Sequence, residues 1–306
     1  MRRAFVGSGS FALVALAFLA LSAADGAAQG VSAVDSLGRK VSLDAPAARI
    51  VSLSPAATEA LFAVGAGPKL VGDTTYCDYP EEARSLPKVG GFVAETVSVE
   101  RVLALKPDLV VSGGSLHAGL EASLRRLGLR VFAYEPGDFR GVADAMMALG
   151  ALSGTPGAAL KAAAALTGAI KRITDATSAI PIAQRPRVLW LVYDDPLMTC
   201  GSVSLPHAIL EAAGGRDIFA DLKGPWPQVS SEEVIRRAPE VILSPDDMGD
   251  KVSAARIGQR PGWSTVPAVR SGRILLLPAA LVSRAGPRVA AGVMAAAKAL
   301  HPELFP

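Results

Sequence analysis

The chain has few of the residues that build metal centres or covalent cross-links, since its 306 residues include two cysteines and three histidines. Cys77 and Cys200 lie far apart and neither belongs to a CxxC pair, which argues against a structural zinc site. An oxidising compartment would permit a disulfide between them, and the sequence leaves that pairing open. Among the three histidines, we expect capping or packing roles for His117 and His207 and a surface position for His301.

The sequence also lacks the short motifs of common hydrolases and nucleotide-binding enzymes. It contains no GxSxG, no HExxH and no Walker-type phosphate loop. Asp194 and Asp195 form an acidic pair beside a proline, and we interpret them as turn residues. The formal net charge is +3 without a basic run, which argues against nucleic acid as a partner. We expect neither catalysis nor a bound cofactor. A secreted hydrolase is the rival hypothesis of another class, and an adhesion or assembly module is a third.

One uninterrupted apolar run stands near the N-terminus. Arg2 and Arg3 precede the run Phe11 to Leu21, and small residues follow from Ser22 to Gln29. This order of charge, apolar residues and small residues is typical of a secretory signal peptide. The run is well short of the roughly 20 residues that span a membrane. We therefore expect residues 1–28 to be cleaved and the remainder to be exported.

An internal repeat is the most informative feature. The segment Val97–Val111, VSVERVLALKPDLVV, aligns without a gap with Val229–Leu243, VSSEEVIRRAPEVIL. Each copy predicts a serine N-cap, a short helix with a carboxylate in its first turn, a proline that ends the helix, and a short strand. A weaker echo precedes each copy, because Leu61–Asp73 and Ile209–Asp221 both predict a helix stopped by glycine and a strand ending in aspartate. The two echoes indicate two similar lobes.

Apolar segments of strand length recur along the chain, separated by turns and helical stretches. The predicted strands are Arg49–Leu53, Leu70–Gly72, Leu109–Val111, Arg130–Ala133, Arg187–Val192, Val241–Leu243 and Arg273–Leu277, and a hairpin is predicted over Asp35–Leu43. The segment Thr155–Ala179 predicts one helix of about 22 residues, roughly 33 Å long. The predicted fold class is α/β, with two similar lobes that each hold a mainly parallel sheet. We expect an N-terminal lobe over residues 29–154, a rigid connecting helix over 155–180 and a C-terminal lobe over 181–306. Ligands bind beyond the carboxyl ends of such strands, which places the site between the lobes.

Several motifs at the predicted strand ends carry a family resemblance. They are RIVSLSPAATEALFAVGA (Arg49–Ala66), TYCDYP (Thr75–Pro80), VERVLALKPDLVV (Val99–Val111), PWPQVSSEEV (Pro225–Val234) and SRAGPR (Ser283–Arg288). With these motifs the chain resembles the class III periplasmic binding proteins of bacterial ABC importers for cobalamin, haem and ferric siderophores. The likeness runs over nearly the whole chain after the leader, and PWPQVS favours the cobalamin binders within the family.

The resemblance implies a ligand and a set of residues that bind it. The ligand would be a corrinoid such as cobalamin, with haem or a ferric siderophore as the alternative. Rings of Tyr76 and Trp226 would lie against the corrin, and Phe92 takes the place of a tryptophan. Met198 stands where a family member has a phenylalanine. Arg284 and Ser54 would hydrogen-bond the rim of the ligand.

The resemblance also implies a partner, an ABC permease dimer in the inner membrane. Glu100 and Glu232 occupy matching positions of the two repeat copies and would dock onto permease arginines, while the binding protein itself is expected to be monomeric. Exposed ion pairs of this kind set register and association rate more than affinity. Haem capture would require an axial ligand, for which Tyr76, His117 and Cys77 are the candidates.

Overall fold

The computed structural model describes residues 30–246 and 254–305, so the predicted signal peptide lies outside the described residues. The first elements form an antiparallel hairpin of β1 (Val31–Val34) and β2 (Lys40–Leu43). The Asp35 carboxylate accepts hydrogen bonds from the backbone N–H of Leu37 (3.0 Å) and of Arg39 (2.9 Å), and Gly38 takes the left-handed conformation that the turn requires, with φ +76°. The predicted hairpin is confirmed.

The N-terminal lobe is built on a four-stranded parallel sheet with the order β4-β3-β5-β6. Its strands are β3 (Ile50–Ser52), β4 (Leu70–Gly72), β5 (Leu109–Ser112) and β6 (Val131–Ala133), and its helices are α1 (Pro55–Ala63), α2 (Val99–Ala104), α3 (Ala118–Arg126) and α4 (Phe139–Ser153). Leu109 and Val111 pack into the core on one face of the sheet, whereas Val110 packs into the core on the other. Both faces are covered, which explains why these strands are continuous apolar runs without alternation.

A single long helix, α5 (Pro156–Ser178), connects the lobes, as predicted. Proline stands in its first turn, where no helical N–H is lost. Its buried residues recur every three or four positions, which gives one apolar stripe along the helix: Ala159, Ala163, Leu166, Ile170, Ile173 and Thr177. This stripe joins the core that runs through both lobes. Near its end, the Thr177 hydroxyl donates to the carbonyl of Ala212 in the C-terminal lobe (2.9 Å).

The C-terminal lobe holds a second sheet with the order β11-β10-β7-β8, and β9 also pairs with β7. The strands are β7 (Arg187–Tyr193), β8 (Met198–Thr199), β9 (Arg216–Asp217), β10 (Val241–Pro245) and β11 (Ile274–Leu277), and β8 alone among these runs antiparallel to its neighbour. The helices are α6 (Leu205–Ala212), α7 (Ser231–Arg237), α8 (Ala254–Gly258), α9 (Pro267–Arg270), α10 (Ala279–Val282) and α11 (Val289–Leu300). Two mainly parallel sheets joined by one helix are the predicted fold class. Within residues 30–246 and 254–305, no helix combines the length and apolarity needed to cross a membrane.

The gapless repeat is reproduced in three dimensions as α2–β5 and α7–β10. Ser98 caps α2 by accepting from the N–H of Arg101, and Ser230 caps α7 by accepting from the N–H of Glu233, each at 3.2 Å. Both helices end in a left-handed residue directly before proline: Lys106 and Ala238 each have φ +47°. A non-glycine residue in this conformation is uncommon, so its recurrence at the aligned position is strong evidence that the two units are the same structure.

The weaker echo is reproduced only in part. Gly65 and Gly214 follow the two helices with φ near +78°, as a glycine stop requires (79° and 77°). In the second copy, however, the strand ends at Asp217 and not at Asp221 as predicted. The Asp217 carboxylate accepts from the N–H of Phe219 (2.8 Å), which turns the chain out of the sheet.

Candidate functional site

A cavity of about 420 Å³ lies between the two lobes. The N-terminal lobe contributes the segment after β6, and the C-terminal lobe contributes β7, the start of α6, the tip around Trp226 and the segment after α10. Its lining residues are Glu135, Pro136, Gly137, Trp190, Val192, Val203, Ser204, Leu205, Pro206, Pro225, Trp226, Pro245, Val282, Ser283 and Ala285. Apolar side chains dominate this lining, and among the described residues Glu135 is the one ionisable side chain in it. The cavity lies at the carboxyl ends of strands from both sheets, as open α/β sheets favour.

Main-chain pairing holds Trp226 at the cavity. On one side the N–H of Thr199 donates to the carbonyl of Pro227 (3.1 Å), and on the other the N–H of Gly201 donates to the carbonyl of Pro225 (3.2 Å). The tryptophan between these bonds is 46% exposed, whereas the cavity-lining Trp190 is 1% exposed. A large ring that is about half exposed, on a loop held by main-chain hydrogen bonds, offers apolar area to a ligand face.

Tyr76 and Phe92 form a second exposed aromatic surface on the N-terminal lobe. Their ring centroids lie 6.5 Å apart in an edge-to-face arrangement, and the His117 ring lies 6.0 Å from Phe92. Tyr76 is 61% exposed and Phe92 36% exposed. Neither ring lines the cavity that holds Trp226. The structure therefore places the predicted aromatic residues at two separate patches.

His117 supports this surface from beneath. It is buried, its Nδ1 accepts from the N–H of Gly113 (2.9 Å), and its Nε2 lies 2.6 Å from the carbonyl oxygen of Phe92. Because an amide can only donate and a carbonyl can only accept, the imidazole is the neutral form with its proton on Nε2. Both nitrogens are occupied, which leaves His117 unsuited to ligate haem iron and gives it the packing role predicted from the sequence.

Two other predicted ligand residues are less available. Ser54 stands directly after β3, but it is 6% exposed and makes no side-chain cap for α1. Met198 lies half-buried on β8, opposite Tyr193 and beside Gln228 of the Trp226 segment. Neither Ser54 nor Met198 is among the described residues that line the cavity.

Arg284 belongs to a group of four charges that joins the lobes, which we call the interlobe charge cluster: Glu59, Asp78, Arg284 and Arg288. Arg284 Nη1 lies 3.0 Å from Glu59 Oε1 and 2.7 Å from Asp78 Oδ1. Arg288 donates to both oxygens of Glu59, at 2.8 and 2.6 Å. The cluster is electrically balanced, with two carboxylates and two guanidinium groups, and both carboxylate contacts of Arg284 are made through its Nη1.

Further contacts hold the interlobe charge cluster between the lobes. The Arg288 guanidinium lies 3.8 Å from the centroid of the Tyr79 ring, and the Tyr134 hydroxyl donates to the carbonyl of Ala285 (2.9 Å). The Glu59 side chain is 1% exposed, so its charge needs these partners. The hydrogen bond from Arg284 holds the pKa of Asp78 below its usual value, which keeps that carboxylate ionised.

A buried ion pair closes the loop that carries Tyr76 and Asp78. Lys88 Nζ lies 2.7 Å from Asp73 Oδ1 and 2.8 Å from the carbonyl of Ala83, while Asp73 Oδ2 is buried without a hydrogen-bond partner. Burial raises the pKa of Asp73 to about 6, against the lowering effect of Lys88. This pair therefore fixes where the loop leaves and rejoins the sheet.

Comparison with known proteins agrees with this architecture. The chain matches the family model described as "Periplasmic binding protein" over residues 50–281.

The chain belongs to the periplasmic binding protein family.

The vitamin B12-binding protein of Salmonella paratyphi A is 37% identical over 208 residues, which cover 67% of this chain and 74% of that protein. The crystal structure of the periplasmic vitamin B12-binding protein of Vibrio cholerae matches with a TM-score of 0.71 at 29% identity, covering 84% of this chain and 98% of the other. The periplasmic heme-binding protein RhuT of Roseiflexus sp. RS-1, in its apo form, matches with a TM-score of 0.72 at 26% identity, covering 82% and 98%. The family resemblance read from the motifs is confirmed.

Glu100 and Glu232 lie where the repeat predicts them, at the second helical position of α2 and α7. Each helix leads into a parallel strand, so its N-terminus stands at the cleft edge of its lobe. Both carboxylates are exposed, and each has a lowered pKa because its own backbone N–H and the serine N-cap, Ser98 or Ser230, hydrogen-bond it. The two lobes thus carry matched, ionised carboxylates.

The cysteines do not pair. Cys77 lies in the N-terminal lobe with its sulfur 3.1 Å from the Thr58 hydroxyl and 3.2 Å from that of Thr74, and Cys200 lies in the C-terminal lobe near Asp217. Both are free and buried. Burial raises the pKa of each thiol, which disfavours the thiolate that would ligate a metal. Over the described ranges, no group of three or more His, Cys, Asp or Glu side chains is arranged to hold a metal ion.

Sequence reasoning missed Glu59, Asp78 and Glu135. Glu59 carries a detectable signal, because a lone carboxylate on the otherwise apolar helix PAATEALFA implies a buried partner. Its partners, Arg284 and Arg288, are 225 and 229 residues away, and nothing in the local pattern connects them. Glu135 is fixed at the cavity by accepting from the N–H and hydroxyl of Ser115, both at 2.7 Å.

Proposed function

We infer that this protein captures a corrinoid between its two lobes in the periplasm and delivers it to an ABC permease dimer in the inner membrane. The observation that carries this proposal is the chemistry of the interlobe cavity. Apolar side chains including Trp190 and Trp226 line it, and Glu135 is the one ionisable lining side chain in the part of the chain that the structure describes. The neighbouring arginines, Arg284 and Arg288, are paired with carboxylates. Such a surface suits a broad ligand with uncharged rim groups better than a tetrapyrrole that carries carboxylates.

The exposed rings of the N-terminal lobe extend the proposed site. A corrinoid is larger than the cavity of about 420 Å³, so part of it must lie outside. Tyr76 and Phe92 stand at the same carboxyl edge of the N-terminal sheet as the cavity segment after β6, and they offer apolar area to that outer part. Rings with few rotatable bonds bury such a surface at a low entropic cost.

Matched carboxylates support the proposed delivery step. Glu100 and Glu232 are exposed, ionised and equivalent in the two lobes. Two symmetry-related arginine sites on a permease dimer would be recognised by this pair, with an effect on register and association rate. We propose that the protein binds its ligand without turnover, exported to the periplasm and monomeric.

The test is a calorimetric titration of the purified chain, without residues 1–28, with cyanocobalamin, haemin and ferric desferrioxamine. We expect cyanocobalamin to bind with a dissociation constant below about 1 μM, equivalent to about −8 kcal/mol, and the other two to bind more weakly. Tight binding of haemin together with no binding of cyanocobalamin would replace the corrinoid by haem. Recovery of chemically unchanged ligand after incubation tests the absence of turnover.

A further inference from the structure

Two carboxylates contact the Arg284 guanidinium at the rim of the cavity. Ser283 and Ala285, its neighbours in sequence, both line the cavity, so Arg284 stands at the cavity rim. Its Nη1 contacts Glu59 at 3.0 Å and Asp78 at 2.7 Å, and its side chain is 21% exposed. An arginine at such a rim would otherwise bind a ligand carboxylate in the two-pronged geometry that guanidinium groups favour.

The two carboxylates differ in their position relative to solvent. Glu59 is 1% exposed and also binds Arg288, so it is the buried partner that both arginines share. Asp78 is 51% exposed and pairs with Arg284 from the outer side. Asp78 is therefore the solvent-exposed carboxylate partner of Arg284.

We propose that Asp78 is a specificity-determining residue, whose negative charge beside Arg284 opposes the binding of ligand carboxylates at that guanidinium. The proposal rests on the proposed function and refines its ligand class to chelates with uncharged rim groups. A ligand carboxylate that binds Arg284 would lie beside the Asp78 carboxylate, and two like charges a few ångströms apart repel strongly when partly desolvated. This is rejection of a wrong ligand by an unfavourable contact rather than by shape.

Two variants of the same loop region test the proposal. Asp78→Asn removes the charge that faces Arg284, and Glu81→Gln is the matched control, because Glu81 is 84% exposed and contacts Arg84 instead. The ligands are haemin, which carries two carboxylates, and its dimethyl ester, which carries none. We expect haemin to bind about tenfold more tightly to Asp78→Asn than to Glu81→Gln, as one added charge-assisted hydrogen bond allows. The ester should not discriminate between the variants.

A third variant assigns the gain to Arg284. In Asp78→Asn/Arg284→Gln, the gain for haemin should disappear, with the fold checked by circular dichroism and thermal unfolding. Equal haemin affinity in Asp78→Asn and Glu81→Gln overturns the proposal, as does a gain that persists without Arg284 or is shared by the ester. The comparison of haemin affinity between the variants does not depend on whether the wild-type protein binds cyanocobalamin. Failure of the proposed function and failure of this inference are therefore distinguishable.

Discussion

Replacing Trp226 by alanine tests whether the interlobe cavity is the ligand site. The side chain is 46% exposed, and with about 250 Å² for a whole tryptophan, roughly 115 Å² is open to a ligand. At about 25 cal/mol per Å², covering this area is worth roughly 3 kcal/mol as an upper value. Part of the gain offsets the ordering of ligand and loop. We therefore expect a loss of about 2–3 kcal/mol, a 30- to 150-fold weaker affinity for cyanocobalamin.

The assay is isothermal titration of wild type, Trp226→Ala, Trp226→Phe and a control. Trp226→Phe keeps a ring of smaller area and should lose about threefold to tenfold, because less apolar surface is covered. The control is Ile182→Ala, which truncates a 68% exposed apolar side chain that does not line the cavity. Hydrogen bonds of Thr199 and Gly201 to the flanking prolines involve main chain, so the loop should keep its position. Affinity of Trp226→Ala within threefold of wild type, with an intact fold, would refute the assignment.

Three further predictions follow from the charged groups. Because the pKa of folded Asp73 is about 6 against a usual 3.8, the folded state retains this proton to higher pH than the unfolded state does. The contribution of Asp73 to stability should therefore fall by about 2 kcal/mol between pH 4.5 and pH 7.5, and urea unfolding at these two pH values should show this difference in wild type relative to Asp73→Asn. Lys88→Met leaves the Asp73 carboxylate buried without its cation and should cost about 3 kcal/mol at pH 7.5 in the same assay, whereas an unchanged midpoint would show that the pair is not needed. Reversing Glu100 and Glu232 to lysine should abolish transport in a complemented uptake assay while leaving cyanocobalamin affinity unchanged, and normal uptake by the double variant would remove their docking role.

Local chemistry in the sequence determined the elements of this protein. Val97–Val111 and Val229–Leu243 specify their caps, helices and strands through serine, proline and β-branched residues at fixed spacing, and the structure reproduces each. Arg187–Val192 was predicted as a buried strand because its apolar run suits a sheet covered on both faces. The connecting helix followed from composition and the absence of an internal proline. These signals act between residues that are close in the sequence, so the elements can be predicted from the sequence alone.

The tertiary structure alone decided what meets at the cleft. Arg284 was predicted to hydrogen-bond the rim of the ligand, and only the folded chain brings Glu59 and Asp78 of the other lobe to its guanidinium, across 225 and 206 residues. Tyr76 and Trp226 were predicted to lie against the same ligand; Trp226 lines the interlobe cavity, whereas Tyr76 packs against Phe92 outside that lining. Pairings of this kind depend on how two sheets are oriented about a shared helix, and loop closure over such distances costs little more than over short ones. The residues at the strand ends can be predicted from the sequence, but the packing of the two lobes decides which of these residues lie on the same surface.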